Sequence, residues 1–281
     1  MEKTIADVKA KKAEREANAV YQFPIWRDPE RGFPNELIRS ALFGAIQAKD
    51  RTYLDNVEIR CQDGHRIVFT GQRLDQTHAD VFEGVMHMAR GIAEGNSIRF
   101  SAHSLLKLIG RSTGKSDHQW LFRTFQQLTA TSVAIFDKSG EKVFWGSLLP
   151  SGAGDVKQGG YSIDMPRHLI KLFDRGFTVL DFESRKLLRR KPLCQWLHAY
   201  YSSHAKPYPV FVETLRDMSG SKATVKRFKA NLKVALDALK DLGFILDWQI
   251  DANNKVFVAR KPTPSQQRFL DGQAATGIEG P

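Results

Sequence analysis

Between Lys222 and Gly243 the chain reads KATVKRFKANLKVALDALKDLG. On a helical wheel Val225, Phe228, Leu232, Leu236 and Leu239 share one face, the spacing of a helix that buries that stripe. Lys222, Lys226, Lys229, Lys233 and Lys240 run beside it, and Arg227 and Asn231 point to the far side. An ammonium group neutralises phosphate as a point charge. A guanidinium can bond guanine through two parallel donors, and a carboxamide can do the same with adenine. Lys222, Thr224, Lys226, Arg227, Lys229, Asn231 and Lys233 are therefore candidates for contact with a nucleic-acid duplex. Those in the first half of the helix are best placed for base edges. A plain basic amphipathic helix would show the same stripe, so the surrounding charge matters. Residues 182–262 hold 16 Lys and Arg against 7 Asp and Glu, net +9 in a chain whose total is +11. Such clustering points to a polyanion rather than to general solubility.

Three further groups belong to the same reading. Lys115, Ser116, Gln119 and Arg123 lie on the polar side of SDHQWLFRTFQQLTATS (116–132), opposite Leu121, Phe125 and Leu128. Their region, 36–181, is close to neutral, so this face fits a solvated surface or a dimer contact as well as DNA. RKLLRRK (185–191) makes Arg189 and Arg190 phosphate candidates, and Lys255, Arg260 and Lys261 border a hairpin that could touch the backbone.

Other chemistries fit poorly. GRSTGKS (110–116) has three residues between its glycines where a phosphate loop needs four, and it joins two helical patterns. The eight histidines include no HExxH and share no helix face with a second ligand. Tyr200 and Tyr201 in YYSSH suggest a nicking nucleophile only if a histidine cluster accompanies them. Cys61 and Cys194 exclude a disulfide framework and fit a reducing compartment. We therefore expect no catalytic activity, cofactor or metal. No run approaches 18 apolar residues, and MEKTIADVKAKKAERE lacks the apolar region of a secretory signal. The expectation is a cytoplasmic protein with no membrane partner.

The positioning elements repeat. SIRFS (97–101) reads as a strand, AHSLLKLIG (102–110) as a short helix and 116–132 as a longer one. A hairpin follows over 133–149, and YSIDM (161–165) adds a strand. The second series comprises PYPVFV (207–212), ETLRDMSG (213–220), the 222–243 helix, and a hairpin of FILDWQID and KVFVARK. Gly110 and Gly220 close the short helices. Strand, helix, turn, helix, hairpin is winged-helix order. The expected fold is α+β with two tandem winged-helix domains, at 24–181 and 182–262. A mobile arm (1–23) precedes them and a disordered tail (263–281) follows. Asn35 should cap a helix over 36–43.

Several of these segments resemble one family. PNELIRSALF (34–43), VEIRCQDGHRIVFTG (57–71), YYSSHAKPYP (200–209), LRDMSGS (215–221) and VKRFKANLKVALDALKDLGFI (225–245) occur in the order seen in TrfA plasmid replication initiators. The resemblance spans roughly 24–260. It implies two winged-helix domains that bind directly repeated origin sequences, called iterons, in double-stranded DNA. It also implies opening of an adjacent AT-rich region and recruitment of the host initiator, the replicative helicase and the sliding clamp. Family members occur as monomers, the active form, and as dimers tied to copy control. One departure stands out: the family's clamp-binding Gln-Leu-Ser-Leu-Phe is absent from EANAVYQFPIW (16–26). Clamp contact here would fall to Tyr21, Phe23 and Ile25. A winged-helix repressor of a plasmid or phage operon is the alternative, distinguished by a palindromic site at a promoter.

Overall fold

The structure is a computed structural model that describes residues 21–62, 64–150, 152–155 and 160–276. Most of the expected arm lies outside these residues. Its last residues correct the expectation of mobility. Phe23 is 1% exposed and meets Phe173 edge-on, with ring centroids 5.5 Å apart. Its N–H donates to the Ile92 carbonyl at 3.0 Å, and its own carbonyl accepts from Gly91 N–H at 3.1 Å. Trp26 stacks on Phe173, with centroids 5.8 Å apart, and donates its indole N–H to His87 Nδ1 at 2.9 Å. Pro24 and Pro29 prevent a helix here, so the strap stays extended, and two buried aromatic rings offset the entropy of ordering it.

The first module is built around the Gln76–Ala89 helix, which is buried along most of its length. Asp75 and His78 form a reciprocal cap at its start, and the Arg51 guanidinium pairs with Asp75. The Ser97–Ser101 strand leads into the Ala102–Leu108 helix, the Gly110 turn and the Lys115–Thr129 helix. The Ser132–Phe136 and Lys142–Gly146 strands then depart from expectation. They extend the Tyr53–Ile59 and Arg66–Gln72 hairpin into a four-stranded antiparallel sheet. The strand that pairs with Ser97–Ser101 is instead Gly160–Asp164, which also pairs with Gly152–Asp155. Strand pairing is non-local, and the order of elements along the chain does not distinguish two successive hairpins.

The second module follows the same order. Val210–Phe211 pairs with Lys255–Ala259, which pairs with Asp247–Ile250. Between these strands lie the Val212–Met218 and Val225–Asp241 helices. Phe182–Leu187 and Pro192–Ser202 are separate helices, divided where Arg190 adopts φ 64°. Two expectations fail locally. The helix at Asn35 has four residues, Asn35–Ile38, and Asn35 Oδ1 accepts from Thr178 instead of capping. The tail is helical over Pro264–Thr276, docked where Gln266 Nε2 donates to the Ser202 carbonyl at 2.8 Å.

The buried apolar residues form two clusters. One comprises residues between Phe23 and Phe182 plus Ala199, and the other residues between Leu188 and Val256. Arg185 sits at their junction, 1% exposed by side chain. It lies 2.8 Å from Asp80 and 3.5 Å from Glu83, and it donates to Gln76 Oε1 and the Gln195 carbonyl. Burial raises the Glu83 carboxyl to about 7 despite that guanidinium.

Two histidines at this level are held neutral. His198 is buried against Phe244, and desolvation pushes it down to about 3. His87 falls to about 4 through burial and the nearby guanidiniums of Arg31 and Arg90, with Asp28 opposing. The unfolded chain binds these two protons below about pH 6.5 and the fold refuses them, while Glu83 keeps one proton that the unfolded chain releases. Stability therefore falls on acidification, with a slope that approaches about 1.4 kcal/mol per pH unit, one net proton, between about pH 6 and 5. Urea titrations across that window should show this slope, and Glu83→Gln should roughly double it. A flat profile in the wild type would mean that one of the two imidazoles keeps its ordinary proton affinity in the fold, and stability rising on acidification that both do.

Candidate nucleic-acid interface

The Val225–Asp241 helix buries Phe228, Leu232, Ala235, Leu236 and Leu239 against the second core. Its rotation is thereby fixed, and the opposite face is left to solvent. Thr224 caps the start, its Oγ1 accepting from Arg227 N–H at 3.4 Å. Lys222, Lys226, Arg227, Asn231 and Lys233 are exposed, and none of these cations forms an ion pair with a described residue. Lys222, Lys226 and Arg227 thus stand at the positive end of a helix dipole and Lys233 farther along the same helix, with no acidic partner among the described residues.

The rest of the lysine stripe is used internally. Lys229 Nζ donates to Asn254 Oδ1 at 2.6 Å, in the turn of the following hairpin. Lys240 pairs with Asp247 at 2.8 Å, which lowers the Asp247 carboxyl below its ordinary range. Trp248 Nε1 donates to Asp237 Oδ1 at 3.0 Å. These three contacts tie the hairpin to the flank of the helix.

Arg260 and Arg189 depart from the expectation of phosphate contact. Arg260 Nη1 donates to the Tyr201 and His204 carbonyls at 3.0 and 2.9 Å, and to Gln266 at 3.1 Å. Arg189 donates to the carbonyls of Ile109 and Gly110. Burial lowers the pKa of both guanidiniums. Buried carbonyls at helix ends need donors, and these arginines supply them. Arg190 and Lys261 remain exposed. In the first module Lys115, Ser116, Gln119 and Arg123 are exposed as expected, opposite buried Leu121, Phe125 and Leu128. Tyr200 and Tyr201 are buried, with Tyr200 stacked on Trp196 at 5.0 Å, and desolvation raises both phenols.

Two contributions escaped the sequence reading. Val234, 70% exposed, extends the Arg227–Asn231 row by one turn, and Phe122, 52% exposed, sits beside Gln119 and Arg123. An apolar group among polar ones on an outward helix face suits a thymine methyl. The outward-facing apolar residue inside each helical pattern is a signal that could have been read. Arg60 and Arg73 of the first module share a cleft of about 270 Å³ with Ser221 and Lys222 of the second. No sequence signal joins residues that far apart. In the strap Phe23 is buried, Tyr21 lies under the Arg167 guanidinium at 4.1 Å, and of Tyr21, Phe23 and Ile25 only Ile25 is exposed, at 74%.

Among the described residues no helix is long and apolar enough to cross a membrane. The family model described as TrfA protein matches residues 153–258, which span the hairpin of the first module and nearly all of the second. A curated relative, the plasmid replication initiator protein TrfA of Escherichia coli, is 26% identical over 234 residues, 81% of this chain. This chain spans 61% of that relative's length. Two crystal structures of domains 2 and 3 of RctB share the fold. One has a TM-score of 0.52 at 12% identity, covering 83% of this chain and 99% of that one. The other has a TM-score of 0.50 at 11% identity, covering 79% and 96%. The mixed α/β architecture is thus shared with RctB domains 2–3, and by sequence the chain is similar to TrfA initiators, most clearly over residues 153–258.

Proposed function

We propose that this chain is a plasmid replication initiator that binds directly repeated origin DNA through two winged-helix modules. The reading rests on one observation: the exposed, unpaired row of Lys222, Lys226, Arg227, Asn231 and Lys233 lies within the segment that matches the TrfA family. Lysines there take phosphates, while Arg227 and Asn231 take base edges. The first-module helix adds a weaker contact through Lys115, Gln119 and Arg123. Opening of an AT-rich region would follow binding to several repeats. The host initiator and replicative helicase would then load on that DNA in the cytoplasm. A monomer–dimer equilibrium would limit initiation. Ile25 is the exposed strap residue for a sliding-clamp contact.

The test is footprinting of purified protein on the DNA flanking its own gene, at several salt concentrations. Protection of regularly spaced direct repeats is expected, with affinity falling steeply as salt rises because condensed counterions are released. Protection of a single palindrome over a promoter would favour the repressor. Equal affinity for repeat-bearing and random duplex would remove the initiator reading.

A further inference from the structure

The two short helices that precede the candidate reading helices end alike. Gly110 and Gly220 both adopt φ 68°, and each accepts a bond from an arginine of the other module. Arg189, from the second module, donates to Ile109 and Gly110 at the end of the Ala102–Leu108 helix. Arg73, from the first module, donates to the Gly220 carbonyl at 2.5 Å, beside the Val212–Met218 helix. The backbone N–H of Ala45 adds a bond to the Ser219 carbonyl at 2.7 Å. A side chain at either turn would be strained by the positive φ and would displace the arginine seated there. A Cβ on Gly220 would stand 2.7 Å from Arg73 Nη2, and one on Gly110 would stand 3.0 Å from Lys186 and 3.2 Å from Arg189.

From this reciprocity we infer that Arg73 and Arg189 are positioning residues that fix the separation and phase of the two reading helices. Each turn launches a reading helix, so a guanidinium seated on it holds that helix relative to the opposite module. Other bonds between the modules lie farther back. Arg185 joins the Gln76–Ala89 and Pro192–Ser202 helices, and Trp196 Nε1 donates to the Ser40 carbonyl at 3.3 Å. Those keep the modules together but touch neither turn. The consequence for DNA is a fixed spacing between two contacted blocks. A pair of modules in rigid register gains its second contact at high effective concentration only when the sites match its span. The DNA consequence rests on the function proposed above, whereas the mechanical one does not.

Two measurements separate them. Spin labels at Gln126→Cys and Val234→Cys, in a Cys61→Ser, Cys194→Ala background, report the distance between the reading helices without DNA. A narrow distribution is expected for the parent, and a clearly broader one for Arg73→Met with Arg189→Met. Arg73→Lys with Arg189→Lys should restore part of the narrowing, and it serves as the test if the methionine pair fails to fold. Unchanged distributions would overturn the inference. The second measurement uses duplexes selected from a random library by the full chain, with 2 or 5 base pairs inserted between the protected blocks. The parent should lose at least about tenfold in affinity on insertion, and the variants should lose much less. Retention of the full spacing penalty by the variants would also overturn it. A parent that selects no duplex at all would defeat the DNA reading, leaving the distance measurement to decide the positioning role.

Discussion

Arg227→Ala lowers affinity for the preferred duplex by about 5- to 150-fold, roughly 1–3 kcal/mol, and relaxes selectivity at one base pair. Arg227 stands on the exposed side of the Val225–Asp241 helix, one turn before Asn231, with no acidic partner among the described residues. Removing it deletes a bidentate donor and leaves the fold unchanged, because its backbone N–H still bonds Thr224. Lys226→Ala and Lys233→Ala should behave differently. Each should weaken all sequences alike and reduce the salt dependence by about one ion, as loss of a phosphate contact does. Lys229→Ala forms a third class. Its ammonium holds Asn254, so its loss should loosen the hairpin and leave the salt slope nearly unaltered. Titrations of the four variants on selected and scrambled duplexes at two salt concentrations separate these outcomes. Equal losses on both duplexes for Arg227→Ala would place that guanidinium on phosphate.

Arg185→Met destabilises the protein by about 3–5 kcal/mol, the penalty for stranding buried acid without its partner. Glu83 is fully buried, and neither of its oxygens has a hydrogen-bond partner among the described residues. Arg185, at 3.5 Å, is the nearest compensating charge, with Asp80 sharing it. Without that guanidinium Glu83 must take up a proton to remain inside. The loss should therefore be smaller at pH 5 than at pH 8. Arg185→Met combined with Glu83→Leu should recover most of the stability, since an apolar pair of similar volume often replaces a buried ion pair without loss. Chemical denaturation of single and double variants at both pH values checks this. Additive losses in the double variant would show that the two residues do not act as a pair.

Much of the architecture was legible in the chain. The 3.6-residue spacing of Phe228, Leu232, Leu236 and Leu239 located a helix and its buried face correctly, because an amphipathic helix has little choice about which face it buries. Gly110 and Gly220 were readable as helix ends, since a left-handed residue there favours glycine. Which hairpin joins the Ser97–Ser101 strand was not legible. Two hairpins follow the Lys115–Thr129 helix, and only the hydrogen-bonding partner of Ser97–Ser101 selects the second. The C-terminal helix was missed because its composition is polar and it is docked through Gln266, not through an apolar stripe.

The candidate interface divides along the same line. Sequence alone determined where the positive charge is concentrated and which helix carries it, because net charge and helical periodicity are local properties. Which of those cations face solvent was decided by tertiary structure. Lys229 meets Asn254, Arg260 meets Tyr201 and Arg189 meets Gly110 at separations of 25, 59 and 79 residues, and each is turned inward by a partner the chain brings up from far away. A cation's sequence position states its charge; its availability depends on which carbonyls and carboxylates folding leaves within reach.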